Sequence, residues 1–116
     1  MATRIPELKS VEAAHDLLGL TYREIADAIH ATESTLHRWR KAEGAEPTPV
    51  FLARLEALDA FLVELGRTFR AWEDARNWLD TEVPYLQNRT PRQMLLAGHV
   101  DRLTGILYAI NAGIPT

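Results

Sequence analysis

Apolar residues recur at intervals of three and four along nearly the whole chain, which is the spacing that places side chains on one face of an α-helix. The first such face holds Leu8, Val11, Ala14 and Leu18. Nowhere do apolar and polar residues alternate as they do in a half-buried β-strand. No internal repeat or low-complexity tract interrupts the pattern. The sequence therefore predicts an all-α fold.

Threonines mark the beginnings of several of these helices. Thr21 and Glu24 have the spacing of a capping box, in which each side chain accepts a hydrogen bond from the other residue's backbone amide. Thr32 is placed to cap the next helix, and Thr48 followed by Pro49 is typical of the start of a longer one. That longer helix carries an apolar seam at Phe51, Leu55, Leu58, Leu62 and Leu65, and Gly66 is predicted to end it. Such a seam packs either within one chain or between two.

Breaks in the helical pattern divide the chain into three parts. Two prolines and a glycine within residues 43–49 form a linker, because they forbid a continuous helix. The predicted parts are a helix-turn-helix bundle at 1–46, a connecting or dimerisation helix at 47–66 and a small helical lobe at 67–116. Within that lobe, Pro84 and Pro91 separate short helices, and Gly113 ends the last one.

Residues 21–40 have the pattern of two short helices joined by about four residues, as in a helix-turn-helix. The second helix of such a motif presents its N-terminal residues to base edges. The candidate base contacts are therefore Ser34, Thr35 and Arg38, and the candidate phosphate contacts are His37, Arg40 and Lys41.

The charge of the chain limits this DNA hypothesis. The net charge is −3, and acidic and basic side chains balance in residues 1–41. Only the stretch from Arg38 to Lys41 is locally positive, so the alternative is a three-helix core with a solvated basic face. With few phosphate contacts per subunit, DNA binding would be weak unless a homodimer doubled it.

Composition argues against several other functions. Cysteine is absent, which fits a reducing cytoplasm and leaves no thiolate for catalysis or zinc. The first residues lack the apolar stretch of a secretory signal, and no run of about 18 apolar residues could cross a membrane. The four histidines lack metal-ligand spacing, and the glycines stand singly instead of forming a phosphate loop. We therefore expect a cytoplasmic protein that is not an enzyme and holds no cofactor or metal.

A family resemblance appears in the second half and extends to the first. The residues that carry it are Leu18, Gly19, Leu20, Thr21, Tyr22, Glu24, Arg38-Trp39, Trp72, Ala75, Trp78-Leu79, Leu86, Thr90-Pro91, Leu95-Leu96, Gly98-His99, Val100, Leu103, Leu107 and Gly113. In their order and spacing they resemble the MbcA/ParS/Xre antitoxin family. The chain departs from many of those relatives at Arg89, where they have a glycine before the Thr-Pro turn.

The resemblance implies an antitoxin that pairs with a RES-domain toxin, an enzyme that destroys NAD, by covering the active-site cleft of that toxin. Many members of that family also repress their own operon, so the resemblance implies autorepression as a second role. The 67–116 lobe is then the toxin-binding part, with candidate contacts at Tyr85, Arg89, Arg92, Asn111, Gly113, Ile114, Pro115 and Thr116. The short apolar tail suits insertion into a cleft, and the alternative is a frayed terminus.

Two other functions fit the same residues. The chain could be a stand-alone helix-turn-helix transcriptional regulator or a partition-type DNA-binding protein, with no toxin partner. It could also be a structural adaptor. An adjacent gene for a toxin would favour the antitoxin, whereas tight, salt-sensitive DNA binding by the isolated chain would favour the regulator.

Overall fold

The computed structural model describes residues 8–42 and 46–113, apart from the side chain of Tyr85. Within these ranges the chain forms α1 (Leu8–Leu18), α2 (Tyr22–Ala28), α3 (Glu33–Arg40), α4 (Pro49–Thr68), α5 (Trp72–Leu79), α6 (Pro91–Leu96) and α7 (Val100–Asn111). A single 3-10 turn, Pro84–Leu86, lies between α5 and α6. The described residues form no strand, and the all-α prediction is confirmed.

The N-terminal half is a helix-turn-helix whose boundaries follow the predicted caps. The Thr21 hydroxyl accepts a hydrogen bond from the Glu24 amide at 3.1 Å, and the Glu24 carboxylate accepts one from the Thr21 amide at 3.0 Å. Thr32 likewise accepts a hydrogen bond from the Thr35 amide at the start of α3. Each cap satisfies backbone groups that a helix start otherwise leaves without partners.

Helix α4 is the longest element and packs against both α1 and α7. Its seam at Leu55, Leu58, Leu62 and Leu65 is buried within the single chain. The predicted end at Gly66 is wrong by two residues, since α4 continues to Thr68. The Thr68 hydroxyl donates a hydrogen bond to the Glu64 carbonyl at 2.7 Å, and this contact helps hold the last turn despite the glycine.

In the C-terminal half, a loop at residues 80–90 joins α5 to α6, and a short turn joins α6 to α7. Thr90 and Gln93 form a second capping box, which begins α6. Gly98, with φ of +88°, separates α6 from α7 in a backbone conformation that glycine tolerates best. One cluster of buried residues runs from α1 to α7. The three-part division of the chain stays a prediction, because all three parts contribute to that shared core.

Candidate DNA-binding and partner-binding surfaces

Helix α3 presents several of the predicted DNA contacts to solvent. Ser34, Arg38 and Lys41 are exposed, whereas Thr35 and His37 are half-buried. The Thr35 hydroxyl accepts a hydrogen bond from the Arg38 guanidinium at 3.2 Å. It also accepts one from the Thr32 hydroxyl at 2.8 Å. The guanidinium of Arg38 is therefore oriented before any ligand binds, which suits an arginine that reads a base edge.

Arg40 is placed differently from its predicted role as a phosphate contact. Its guanidinium donates to the Glu12 carboxylate at 2.6 Å and to the Tyr22 hydroxyl at 2.8 Å. It also lies 3.8 Å from the centre of the Tyr22 ring, and His15 stacks on that ring at 4.2 Å. Arg40 thus ties α3 to α1 and α2, and a phosphate contact would have to break a charge-assisted pair.

The pKa values of Arg40 and Tyr22 are shifted in the directions that their hydrogen bonds to Glu12 predict. The hydrogen bond to Glu12 is the main cause that raises the pKa of Arg40. Burial is the main cause that raises the pKa of Tyr22, and its hydrogen bond to Glu12 adds to the effect. The sequence missed this cluster, since Glu12 and Arg40 are 28 residues apart and no local spacing signals their contact.

Two arginines of α3 should respond differently to replacement by alanine. Arg38→Ala should leave the free energy of unfolding within about 0.5 kcal/mol of the wild type, because its side chain is exposed. Arg40→Ala should lower it by about 1–3 kcal/mol, because the partly buried Glu12 and the Tyr22 hydroxyl lose their hydrogen bonds from the Arg40 guanidinium. Urea unfolding of both variants measures the difference, and equal losses would contradict the structural role of Arg40.

The loop between α5 and α6 has a defined shape. The Val83 amide donates to the Arg89 carbonyl at 3.1 Å, and the Asn88 amide donates to the Val83 carbonyl at 3.2 Å. Gln87 and Asn88 both have positive φ, which few residues other than glycine adopt. The Arg89 side chain is exposed at the end of this loop. The side chain of Tyr85, another predicted contact, lies outside the described residues.

Arg92 was also predicted as a toxin contact, but its side chain is only 25% exposed. It donates to the Asp80 carboxylate at 2.8 Å and to the Glu24 carboxylate at 2.9 Å. The arginine therefore bridges α6 to the end of α5 and to the start of α2. As with Arg40, these partners are distant in the sequence, and the structure gives Arg92 an internal role that local spacing does not reveal.

The remaining predicted contacts lie at the end of the chain. The Asn111 amide donates to the Glu64 carboxylate at 3.0 Å, which holds α7 against α4. Asn111 is nevertheless exposed, as is Gly113, whose φ of +73° ends α7 where the sequence predicts. Ile114, Pro115 and Thr116 lie outside the described residues, so their role stays a prediction.

The ion pair of Arg92 with Asp80 predicts a pH dependence. Hydrogen bonds from Arg92 hold the pKa of Asp80 below its usual value. A carboxylate whose pKa is lower in the folded state stabilises the fold above its unfolded pKa, and the contribution is lost as the pH falls. Between about pH 4 and pH 2, the free energy of unfolding should therefore fall more steeply for the wild type than for Asp80→Asn. Urea unfolding at a series of pH values measures both free energies. Equal slopes of free energy against pH for the two proteins would contradict this prediction.

Within residues 8–42 and 46–113, no helix has the length and apolar character that a membrane span requires. Within the same ranges, histidine, aspartate and glutamate side chains form no group of three that could hold a metal ion.

Known proteins match this chain both in sequence and in fold. A homeodomain-like domain family matches residues 8–49, which contain the helix-turn-helix. The mycobacterial cidal antitoxin MbcA of Mycobacterium bovis is 25% identical over 105 residues, which are 90% of this chain and 91% of the relative. MbcA of Mycobacterium tuberculosis matches equally well.

The fold gives a match of the same extent. The crystal structure of the Mycobacterium tuberculosis MbcT-MbcA toxin-antitoxin complex contains a chain that aligns with a TM-score of 0.69 and 23% identity. The alignment covers 97% of this chain and 99% of that chain. Sequence and fold thus agree along nearly the whole length, and the predicted resemblance to the MbcA antitoxins is confirmed, with a helix-turn-helix in the N-terminal half.

Proposed function

We propose that this chain is the antitoxin of a toxin–antitoxin pair. It acts in the cytoplasm, by binding and not by catalysis, and silences a RES-domain, NAD-degrading toxin by covering the active-site cleft of that enzyme. The observation that carries the proposal is the match to MbcA over 90% of this chain, together with a similar fold in the MbcT-MbcA complex. A match that leaves out only about a tenth of the chain extends over both the helix-turn-helix half and the C-terminal half.

The loop at residues 83–90 is the best-supported contact surface for such a toxin. Its hydrogen bonds between Val83, Asn88 and Arg89 hold it in one conformation before binding. A loop that is already ordered loses less conformational entropy on association, so more of the contact energy appears as affinity. Exposed arginines are also frequent among the residues that dominate interface energies, which favours Arg89 as an anchor.

Co-expression with the product of the adjacent reading frame tests the proposal. If that product is the toxin, its expression alone should arrest growth and deplete cellular NAD, and the antitoxin should restore both. The two proteins should also purify as one complex. Growth arrest that persists despite soluble antitoxin, or two proteins that elute separately, would refute the antitoxin function.

Deletion of residues 114–116 tests the contribution of the tail. The deletion should weaken neutralisation, because a short apolar segment with little conformational entropy suits a cleft. The free energy of unfolding should remain unchanged, since Leu107 is the last buried residue among residues 46–113. Growth of co-expressing cells and urea unfolding give the two readouts, and full neutralisation by the shortened chain would assign the tail no role.

We further propose that the same protein binds DNA upstream of its own gene as a homodimer and represses its operon. The helix-turn-helix supports this proposal, because α3 presents an oriented Arg38 and an exposed Lys41. Fluorescence anisotropy with upstream DNA and with a scrambled duplex measures the preference. Equal affinity for both duplexes would exclude operator recognition, whereas tight binding without any toxin partner would favour a stand-alone regulator or partition protein.

A further inference from the structure

The helix-turn-helix packs on the C-terminal lobe at the junction of α2 with α6, and α1 of the same half also packs on α5. At one end of the junction, the Arg92 guanidinium of α6 donates to the Glu24 carboxylate of α2 at 2.9 Å. The same guanidinium holds Asp80, at the end of α5, through two hydrogen bonds. A single arginine therefore joins three helices across 68 positions of sequence.

Glu24 is a shared residue at this junction. One carboxylate oxygen accepts the Thr21 amide and so caps α2, while the other oxygen accepts the hydrogen bond from Arg92. The residue that completes the capping box of α2 is thus also the residue that holds α6, through Arg92.

The other end of the junction is equally close. His30 follows α2 with a left-handed φ of +57°, and its ring lies against Gly98 after α6. A Cβ atom added at Gly98 would stand 2.0 Å from the His30 Nε2, so the contact requires a glycine unless the ring moves away. His30 lies in the turn between α2 and α3, and this second contact therefore reaches the segment that orients the recognition helix.

We propose that Glu24 and Arg92 are positioning residues through which occupancy of the C-terminal lobe changes DNA binding by α3. The loop at residues 83–90, the proposed contact surface for the toxin, leads directly into α6, since Thr90 both ends the loop and caps the helix. A toxin that shifts α6 must move α2 with it or break the Arg92–Glu24 pair. By linkage, the effect is reciprocal: DNA on α3 changes the affinity for the toxin by the same factor. The inference rests on the proposed function and adds the route of its regulation.

Glu24→Gln is the variant that isolates the link. Glutamine keeps the capping box of α2, because its side-chain oxygen also accepts the Thr21 amide, but it removes the charge that holds Arg92. Glu56→Gln is the matched control, since Glu56 is an exposed residue of α4 with the same change in charge.

The experiment measures the affinity of the full chain for its own upstream DNA, alone and saturated with the product of the adjacent reading frame. For the wild type and Glu56→Gln, we expect the two affinities to differ at least about fivefold. For Glu24→Gln, they should differ less than about twofold, while affinity for the partner stays within about threefold of the wild type. The proposal would be overturned if the partner left the DNA affinity of the wild type unchanged. It would also be overturned if the partner changed the DNA affinity of Glu24→Gln by the same factor as that of the wild type.

Hydrogen exchange in the free chain separates this inference from the proposed function. In Glu24→Gln, exchange of the α6 amides should accelerate at least about fivefold, while exchange in the middle of α4 stays unchanged. If the wild type fails to bind the partner or the DNA, the corresponding proposed function is refuted. The exchange result then decides whether the Arg92–Glu24 pair couples α6 to α2. Unchanged exchange in α6 would then overturn the link itself.

Discussion

Replacement of Phe61 by alanine is expected to lower the free energy of unfolding by about 3–5 kcal/mol. Phe61 is the largest of the fully buried side chains and lies on α4, the helix that packs against both α1 and α7. Loss of its ring removes buried apolar surface and leaves a cavity that the surrounding helices only partly fill. Because a domain of this size is stable by about 5–15 kcal/mol, the variant loses a large share of its stability.

Val63→Ala provides the matched control for Phe61→Ala. Val63 is on the same helix, two positions away, but its side chain is 46% exposed. Its replacement should change the free energy of unfolding by less than about 0.5 kcal/mol. Urea unfolding followed by circular dichroism measures both variants. Similar losses at the two positions would mean that α4 does not face the core as described.

Arg89→Glu should weaken binding of the toxin at least about 30-fold, which corresponds to about 2 kcal/mol and is typical of a dominant interface residue. Arg89 is the next-to-last residue of the ordered loop at residues 83–90, and its exposed side chain makes a long contact, 3.9 Å, with the Met94 sulfur. The loop itself depends on the Arg89 carbonyl, which any residue supplies. The substitution should therefore reverse the charge of the contact without altering the fold.

Arg23→Glu controls for the change in net charge. Arg23 is exposed on α2, in the helix-turn-helix half, and its replacement changes the charge of the chain equally. Titration calorimetry with the adjacent gene product should show affinity close to that of the wild type for Arg23→Glu. If Arg23→Glu and Arg89→Glu weaken binding to the same extent, the effect arises from net charge and the loop is not the contact surface.

Local spacing was sufficient to predict most of the helices. The capping boxes at Thr21 and Thr90 depend on residues three positions apart, and the turn at Gly19 depends on one residue, so each signal is contained in a short window. The buried faces followed from the same three- and four-residue periodicity. Gly66 shows where local signals fail, because contacts of the last turn of α4 outweigh the low helix propensity of glycine.

The contacts between helices were not predictable from the same windows. From the sequence alone, Arg40 and Arg92 are both expected to be exposed to solvent, because each is a charged residue on a short helix. Their partners, Glu12 and Glu24, lie 28 and 68 residues away, and no periodicity encodes such a distance. The sequence therefore predicted which helices and loops carry the candidate sites. The three-dimensional structure was needed to tell the arginines that join helices from those that face solvent.

The capture of Arg40 by Glu12 and Tyr22 affects how the protein would search for its operator. With that cation occupied, α3 and its C-cap offer phosphates chiefly Arg38 and Lys41. Two phosphate contacts correspond to a slope of about −2 in log K against log salt, and sliding along random DNA depends on that non-specific attraction. A chain with net charge −3 thus gains little from one-dimensional diffusion. Under the proposed operator binding, its residence on DNA would instead depend on recognised bases and on the pairing of half-sites.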